Sequence, residues 1–104
     1  MTREEALALM KQIHFFNTQF HACANKPHLK FFRDFMRSNK DRCQLMLLKF
    51  ASADLVWVKK DLNHPNQEWS IGLHGLPDNL ARHIPLSVLQ QGLSYELLKT
   101  WQIN

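Results

Sequence analysis

Basic residues recur between positions 26 and 40 at intervals of four, three, four and three residues: Lys26, Lys30, Arg33, Arg37 and Lys40. At roughly 100° per residue they fit within about 80° of a helix circumference. Apolar side chains occupy the opposite flank, and we expect them to face a core: Leu29, Phe31, Phe32, Phe35 and Met36. The spacing therefore predicts an amphipathic helix with one cationic flank, which can meet phosphate, an acidic protein or only solvent.

Composition indicates one globular domain that spans residues 1–104, because 45% of the residues are hydrophobic and 21% are charged. With only three glycines, we predict an all-α, mostly helical, small multi-helix domain. The N-terminus lacks a signal-peptide pattern, and no stretch reaches the ~18 apolar residues of a membrane span. We therefore expect a cytoplasmic protein without a membrane association, in which Cys23 and Cys43 are reduced and buried.

The first 40 residues predict two helices. Thr2 and Glu5 have the spacing of a capping box, and apolar residues then recur every three or four positions to Cys23, which predicts a helix over residues 3–24. Pro27 interrupts this helix and suits the first turn of the next. We predict that the basic helix runs from about Pro27 to Ser38, and that Ser38 or Asn39 can cap a new helix.

Residues 41–62 form the most apolar segment, and we predict a third helix there. The alternative is a strand through residues 55–58, since β-branched and aromatic residues favour extended chain. A helix that is apolar on most sides cannot be fully buried in so small a domain, which indicates a subunit interface. The candidate interface residues are Leu47, Phe50 and Trp57.

The C-terminal third predicts short elements. Alternating Trp69, Ile71 and Leu73 favour a short strand or extended segment over residues 69–74. Three short helices are expected after it, over residues 78–83, over residues 85–91 and after a cap at Ser94. Short helices joined by tight turns are typical of a helix-turn-helix, so we predict a helix-turn-helix-like C-terminal part.

No catalytic or metal-binding pattern is present in the sequence. The six histidines lack the paired short spacings of a zinc site. Burial is expected to raise the pKa of Cys43, although Arg42 opposes that shift. No glycine-rich phosphate loop or nucleophile elbow occurs. We therefore expect a protein that is not an enzyme, has no cofactor, no catalytic residue, no metal and no small-molecule substrate.

The net charge of +4 and the pI near 9.3 make DNA a reasonable partner. Besides the five basic residues from Lys26 to Lys40, we assign Arg82 and Lys99 as candidate phosphate contacts. The alternative is that the basic helix binds an acidic protein surface, as in a small inhibitor, immunity protein or adaptor.

From about Gln44 onward the order of features resembles the FlhD family of bacterial transcription activator subunits. The shared features are the apolar segment QLMLLKFASADLVWVKKD, the extended Ile71-Gly72-Leu73, a short helix around Leu80-Ala81, and VLQQGLSYELL after Ile84-Pro85. The resemblance implies a helical homodimer or hetero-oligomer. It also implies that this subunit works with a larger, zinc-binding partner subunit to bind DNA and activate transcription.

Overall fold

A computed structural model describes residues 1–60 and 68–92. Its elements are helices α1 (Arg3–Ala22), α2 (Lys30–Phe50) and α3 (Leu86–Gly92), strands β1 (Val56–Lys60), β2 (Trp69–Leu73) and β3 (Arg82–Ile84), and 3-10 turns at Pro27–Leu29 and Asp78–Leu80. Helices account for 64% of this structure. The mostly helical prediction is confirmed, but the all-α class is wrong because three strands form an antiparallel sheet.

Helix α1 begins with the predicted capping box. The Thr2 hydroxyl accepts the Glu5 backbone N–H, and the Glu5 carboxylate accepts the Thr2 backbone N–H, both over 3.1 Å. Each contact satisfies an amide that the helix itself leaves unpaired. The helix buries Ala6, Leu9 and Ile13, so the predicted apolar stripe is confirmed at its N-terminal half.

Helices α1 and α2 form an antiparallel hairpin. Gln12 contacts Cys43, Phe20 contacts Arg37, and Ala24, just after the end of α1, contacts Arg33. Residue numbers thus rise along one helix as they fall along the other. The short connection through Pro27 favours this arrangement, since it leaves too little chain for a crossover.

Helix α2 continues without interruption through Ser38 to Phe50, so the predicted boundary at Ser38 is wrong. The Asn39 side chain accepts a hydrogen bond from the Arg42 guanidinium at 2.7 Å. The helix ends because Ala51 is extended (ψ 145°), and β1 follows after a turn at residues 52–55. The predicted helix over residues 41–62 is therefore wrong over residues 51–60, and the alternative of a strand is confirmed by β1; residues 61 and 62 lie outside the described part of the chain.

The sheet has the order β1-β2-β3, with Val56 opposite Leu73 and Val58 opposite Ile71. These four side chains are at most 2% exposed and form the core face of the sheet. On the other face Trp57 lies opposite Gly72, where any β-carbon would collide with the indole ring. Glycine is therefore required beneath the ring, and the predicted strand at residues 69–74 is confirmed.

Helix α2 is joined to the sheet by Gln44, whose amide donates to the His83 carbonyl of β3 at 2.9 Å. Residues 82–84 form β3, so the predicted helix over residues 78–83 is reduced to the 3-10 turn at Asp78–Leu80. The helix over residues 85–91 corresponds to α3. The predicted helix after Ser94 lies outside the described residues, and a helix-turn-helix is not shown. Within residues 1–60 and 68–92, no helix is long and apolar enough to cross a membrane.

Candidate functional site on the outer face of the second helix

The predicted basic row begins with two exposed lysines. Lys30 is the first residue of α2, and Lys26 precedes the 3-10 turn that leads into it. Because this turn has a shorter period than an α-helix, Lys26 does not continue the spacing of the residues that follow. Both lysines lie at the end of the hairpin formed by α1 and α2.

The two arginines of the row contact α1 or the residues just after it. Arg33 donates to the carbonyl of Ala24 at 3.3 Å and lies 3.9 Å from the carboxylate of Asp34. The Arg37 guanidinium lies over the ring of Phe20, 5.2 Å from its centroid. Such a contact orients the cation and covers apolar surface. Both side chains therefore help to hold the hairpin together, although Arg37 stays exposed.

Lys40, the last member of the predicted row, is only 8% exposed. Burial lowers the pKa of its ammonium group, and the neighbouring carboxylate of Asp41 partly opposes that shift. The prediction of Lys40 as a phosphate contact is corrected, because its side chain lies inside the fold rather than on a surface.

Arg82 is half-buried, and its guanidinium is hydrogen-bonded to the backbone. It donates to the carbonyls of Asn79 at 3.0 Å and Ala81 at 2.8 Å, and it also contacts Nδ1 of His14. Lys99, the other predicted DNA contact in the C-terminal third, lies outside the described residues. The structure thus does not bring Arg82 onto a surface shared with Lys26 and Lys30.

The phenylalanines of α2 do not face the core as predicted. Phe31 is 89% exposed, Phe35 is 58% exposed and Phe32 is 43% exposed, whereas Met36 is buried as expected. Exposed phenylalanines that lie together on one helix form an apolar patch, and such patches are typical of binding surfaces. The flank of α2 that we expected to face the core is therefore a candidate binding site.

The exposed residues continue along the whole helix. At about 100° per residue, one arc of about 100° also contains buried Asn39 and, at its edge, Phe32, and it holds the exposed set that we call the outer face: Phe31, Phe35, Arg42, Met46, Lys49 and Phe50. Phe31 and Phe50 are separated by about 28 Å of helix axis at 1.5 Å per residue. The outer face is therefore long enough to accept another helix side by side.

The charge of the chain is concentrated in this helix. Helix α2 contains six lysines and arginines and two aspartates, a net charge of +4 that equals the net charge of the whole sequence. The rest of the chain is therefore formally neutral. Phe31, Phe35 and Phe50 thus lie in the described element with the largest net positive charge, since α1 is neutral and β1 carries only two lysines.

Of the three residues predicted for an oligomer interface, Phe50 alone lies at the surface, with 63% of it exposed. Leu47 is fully buried in the core and Trp57 is 7% exposed. The prediction is corrected for both, since a second chain cannot reach Leu47, and Trp57 lies over Gly72.

Sequence reasoning missed Phe31, Phe35 and Met46 because it ended the basic helix at Ser38. Once α2 is one helix, its buried residues Met36, Cys43 and Leu47 define the core side over several turns. By period alone, Phe31 and Phe35 then fall about 140° and 100° away from that core side. The signal was therefore present in the sequence, but it depended on the length of the helix.

The predicted chemistry of Cys43 is confirmed in direction. Its thiol donates to the amide oxygen of Gln12 at 3.5 Å, and burial raises the pKa of the thiol while Arg42 opposes that shift. Both cysteines are buried and free. Within the described residues, no three histidine, cysteine, aspartate or glutamate side chains lie together as metal ligands would.

No protein-family model, curated protein or solved structure matches the chain. The similarity to the FlhD family thus rests on the sequence features alone. One of these features is changed by the structure, since the apolar segment that starts at Gln44 is helical only to Phe50 and forms β1 from Val56.

Proposed function

We propose that the protein is a non-enzymatic inhibitor or adaptor that binds an acidic partner protein along the outer face of α2. The observation that carries this proposal is the coincidence of exposed Phe31, Phe35 and Phe50 with the net charge of +4 on one helix. Phenylalanine is one of the aromatic residues that are enriched at protein interfaces relative to the rest of the surface.

The apolar part of the outer face favours binding, because a partner that covers the exposed phenylalanine side chains removes their unfavourable contact with water. The basic part selects the partner. Lys30, Arg42 and Lys49 are exposed beside the aromatic residues, and cations at the edge of an interface favour partners with a negative potential.

The partner that fits this surface is an amphipathic helix with an apolar stripe and acidic flanks. A helix can lie along α2 with its side chains between those of Phe31, Phe35 and Met46. A second copy of this chain fits less well, since two outer faces would bring like charges together.

The experiment compares two phenylalanines of similar exposure. Phe35 lies on the outer face and is 58% exposed, whereas Phe15 lies on α1 and is 55% exposed. Proteins captured by the full chain are identified by mass spectrometry, and the purified candidate is then titrated against the Phe35→Ser and Phe15→Ser variants. We expect Phe35→Ser to weaken binding at least about tenfold, as for a hot-spot residue, and Phe15→Ser to leave it unchanged.

Binding of the candidate should also weaken as salt increases, because the basic residues around the outer face contribute to it. Equal binding by both variants, or binding that is insensitive to salt, contradicts the proposal. Self-association that is lost in Phe35→Ser would assign the outer face to a second copy instead.

A second candidate function is the one that the basic row suggests, a DNA-contacting subunit of a transcription activator complex. It is favoured by the position of Lys26, Lys30 and Arg37, which are exposed near the same end of the helical hairpin. Three phosphate contacts predict a slope of about 2.7 in a plot of log affinity against log salt. Changing Lys26 and Lys30 to glutamine should reduce that slope by about two, and an unchanged slope would exclude this function for the hairpin.

A further inference from the structure

A cleft of about 230 Å³ lies between the N-terminal half of α1 and the connection from β2 to β3. Its walls are apolar, with Leu7 and Met10 on one side and Leu76 and Leu80 on the other. Leu80 is 44% exposed, so part of this apolar surface is in contact with water. No described residue of α2 lines the cleft, which separates it from the outer face.

The remaining residues that line the cleft are basic or titratable: Lys11, His14 and Arg82. None of the described lining residues is acidic. An apolar cleft with cationic groups at one side matches a ligand with an apolar tail and a single negative charge.

Arg82 is held in place for such a contact. One guanidinium nitrogen donates to the carbonyls of Asn79 and Ala81, and the other terminal nitrogen contacts His14. Its Nε is buried and has no hydrogen-bond partner in the described part of the chain. A carboxylate could accept from the nitrogen that now contacts the exposed ring of His14, and it would add a charge-assisted hydrogen bond.

We propose that this cleft binds a small carboxylate with an unbranched or aromatic apolar tail. The tail packs against the leucines and Met10, and the carboxylate binds Arg82 with Lys11 nearby. This proposal concerns a surface other than the outer face of α2, so its failure would leave the proposed protein docking unaffected.

The first experiment titrates the full chain with octanoate and follows backbone amide signals by NMR. We expect saturable shifts at residues 7–14 and 76–82, with a Kd of about 1 mM or tighter. Hexanoate should bind about fifteenfold more weakly, because two fewer methylene groups are buried. Absence of saturation, or shifts confined to α2, overturns the proposal.

The second experiment tests the role of charge with octanol as a neutral ligand of the same length. We expect Arg82→Gln to weaken octanoate about tenfold and to leave octanol unchanged. The matched control is Lys49→Gln, which removes an exposed cation from α2 and should change neither affinity. Equal loss of octanoate and octanol binding would show that Arg82 only shapes the cleft.

Arg82 also holds two backbone carbonyls, so a melting curve must accompany each variant. Lys11→Gln removes a cation from the exposed side of α1 and leaves those carbonyl contacts intact. We expect it to weaken octanoate about threefold through the loss of one charge near the carboxylate. Octanoate binding that is unchanged in Lys11→Gln and in a folded Arg82→Gln variant contradicts the proposal.

Discussion

Helices α1 and α2 have nearly equal lengths, 20 and 21 residues, and both bury an apolar stripe, but they differ in how many polar residues they bury and how many aromatic residues they expose. Helix α1 buries Ala6, Leu9, Met10 and Ile13, all of them apolar. Helix α2 contains all three buried polar residues of the described chain, Asn39, Lys40 and Gln44, and exposes Phe31, Phe35 and Phe50.

The difference between the helices lies in the polarity of their buried side chains, which are all apolar in α1 and partly polar in α2. Helix α1 buries only apolar residues, although its Phe15 is 55% exposed. Helix α2 exposes four phenylalanines and buries three polar residues, a pattern that burial of apolar surface alone does not produce. Such a conflict between pattern and position is a mark of functional surface.

The largest effect is expected for Leu47→Ala, which tests whether this residue belongs to the core or to an interface. Leu47 is completely buried, so the substitution should lower the free energy of unfolding by about 2–5 kcal/mol. Urea unfolding followed by circular dichroism measures this. Phe35→Ser should change the same quantity by less than about 0.5 kcal/mol, since Phe35 is exposed. Similar losses for both would break the contrast between the two sides of α2.

A smaller effect is expected for Gln44→Ala, which tests the buried polar group that joins α2 to β3. The substitution removes the hydrogen bond to the His83 carbonyl and leaves a small cavity, and we expect a loss of about 1–3 kcal/mol. Gln12→Ala is the control on α1, because Gln12 is exposed and its contact with Cys43 is long at 3.5 Å. An equal loss in the control would show that burial of Gln44 is not the cause.

Thr2→Ala tests the N-terminal cap of α1, for which α2 has no equivalent. Removal of the hydroxyl leaves the Glu5 amide unpaired, and we expect a loss of about 1 kcal/mol. At the start of α2 the preceding residue, Leu29, makes no side-chain cap, so Leu29→Ala should cost nothing through capping. Amide hydrogen exchange at residues 3–6 should accelerate in Thr2→Ala and stay unchanged in Leu29→Ala.

The smallest effects concern pH, and the two helices should differ in sign. Hydrogen bonds to Thr2 lower the pKa of Glu5 below 4.5, so its stabilising contribution is lost as pH falls through the folded-state pKa. Burial raises the pKa of Asp41 above 3.8, and the cations Lys40 and Arg37 oppose this. The contribution of Asp41 is therefore present below its unfolded pKa and is lost as pH rises through the folded-state pKa.

Glu5→Gln and Asp41→Asn should accordingly change the slope of stability against pH in opposite directions. Unfolding midpoints in urea between about pH 3 and pH 7 measure both slopes. Glu5→Gln should make acid less destabilising, whereas Asp41→Asn should remove a loss of stability that occurs as pH rises. The same sign for both variants would contradict the assigned environment of Asp41.

The sequence was sufficient where structure depends on neighbouring residues. The capping box at Thr2 and Glu5 and the alternation at residues 69–73 are local signals, and both predicted their elements. The sequence was insufficient where the local structure is determined by pairing with residues that are distant along the chain. Val56 and Val58 pair with Leu73 and Ile71, and this pairing selects a strand where local period allowed a helix.

The candidate site shows the same division. The cationic spacing at Lys30, Arg33 and Arg37 did predict a helix. What could not be predicted was that Arg37 would contact α1 and that Arg33 would contact Ala24 just after it, because this depends on the antiparallel hairpin. The exposure of Phe31 and Phe35 follows from the uninterrupted length of α2, which a polar pair at Ser38 and Asn39 concealed.

The positions of the tryptophan residues determine what intrinsic fluorescence can report about this protein. The sequence has tryptophan at positions 57, 69 and 101 and none in α1 or α2. Trp57 and Trp69 are on opposite faces of the sheet, and both are shielded from water. The fluorescence of Trp57 and Trp69 therefore reports on the integrity of the sheet. Binding of a protein to the hairpin of α1 and α2 is expected to leave their fluorescence unchanged. A tryptophan placed at position 35 would give that surface a fluorophore of its own.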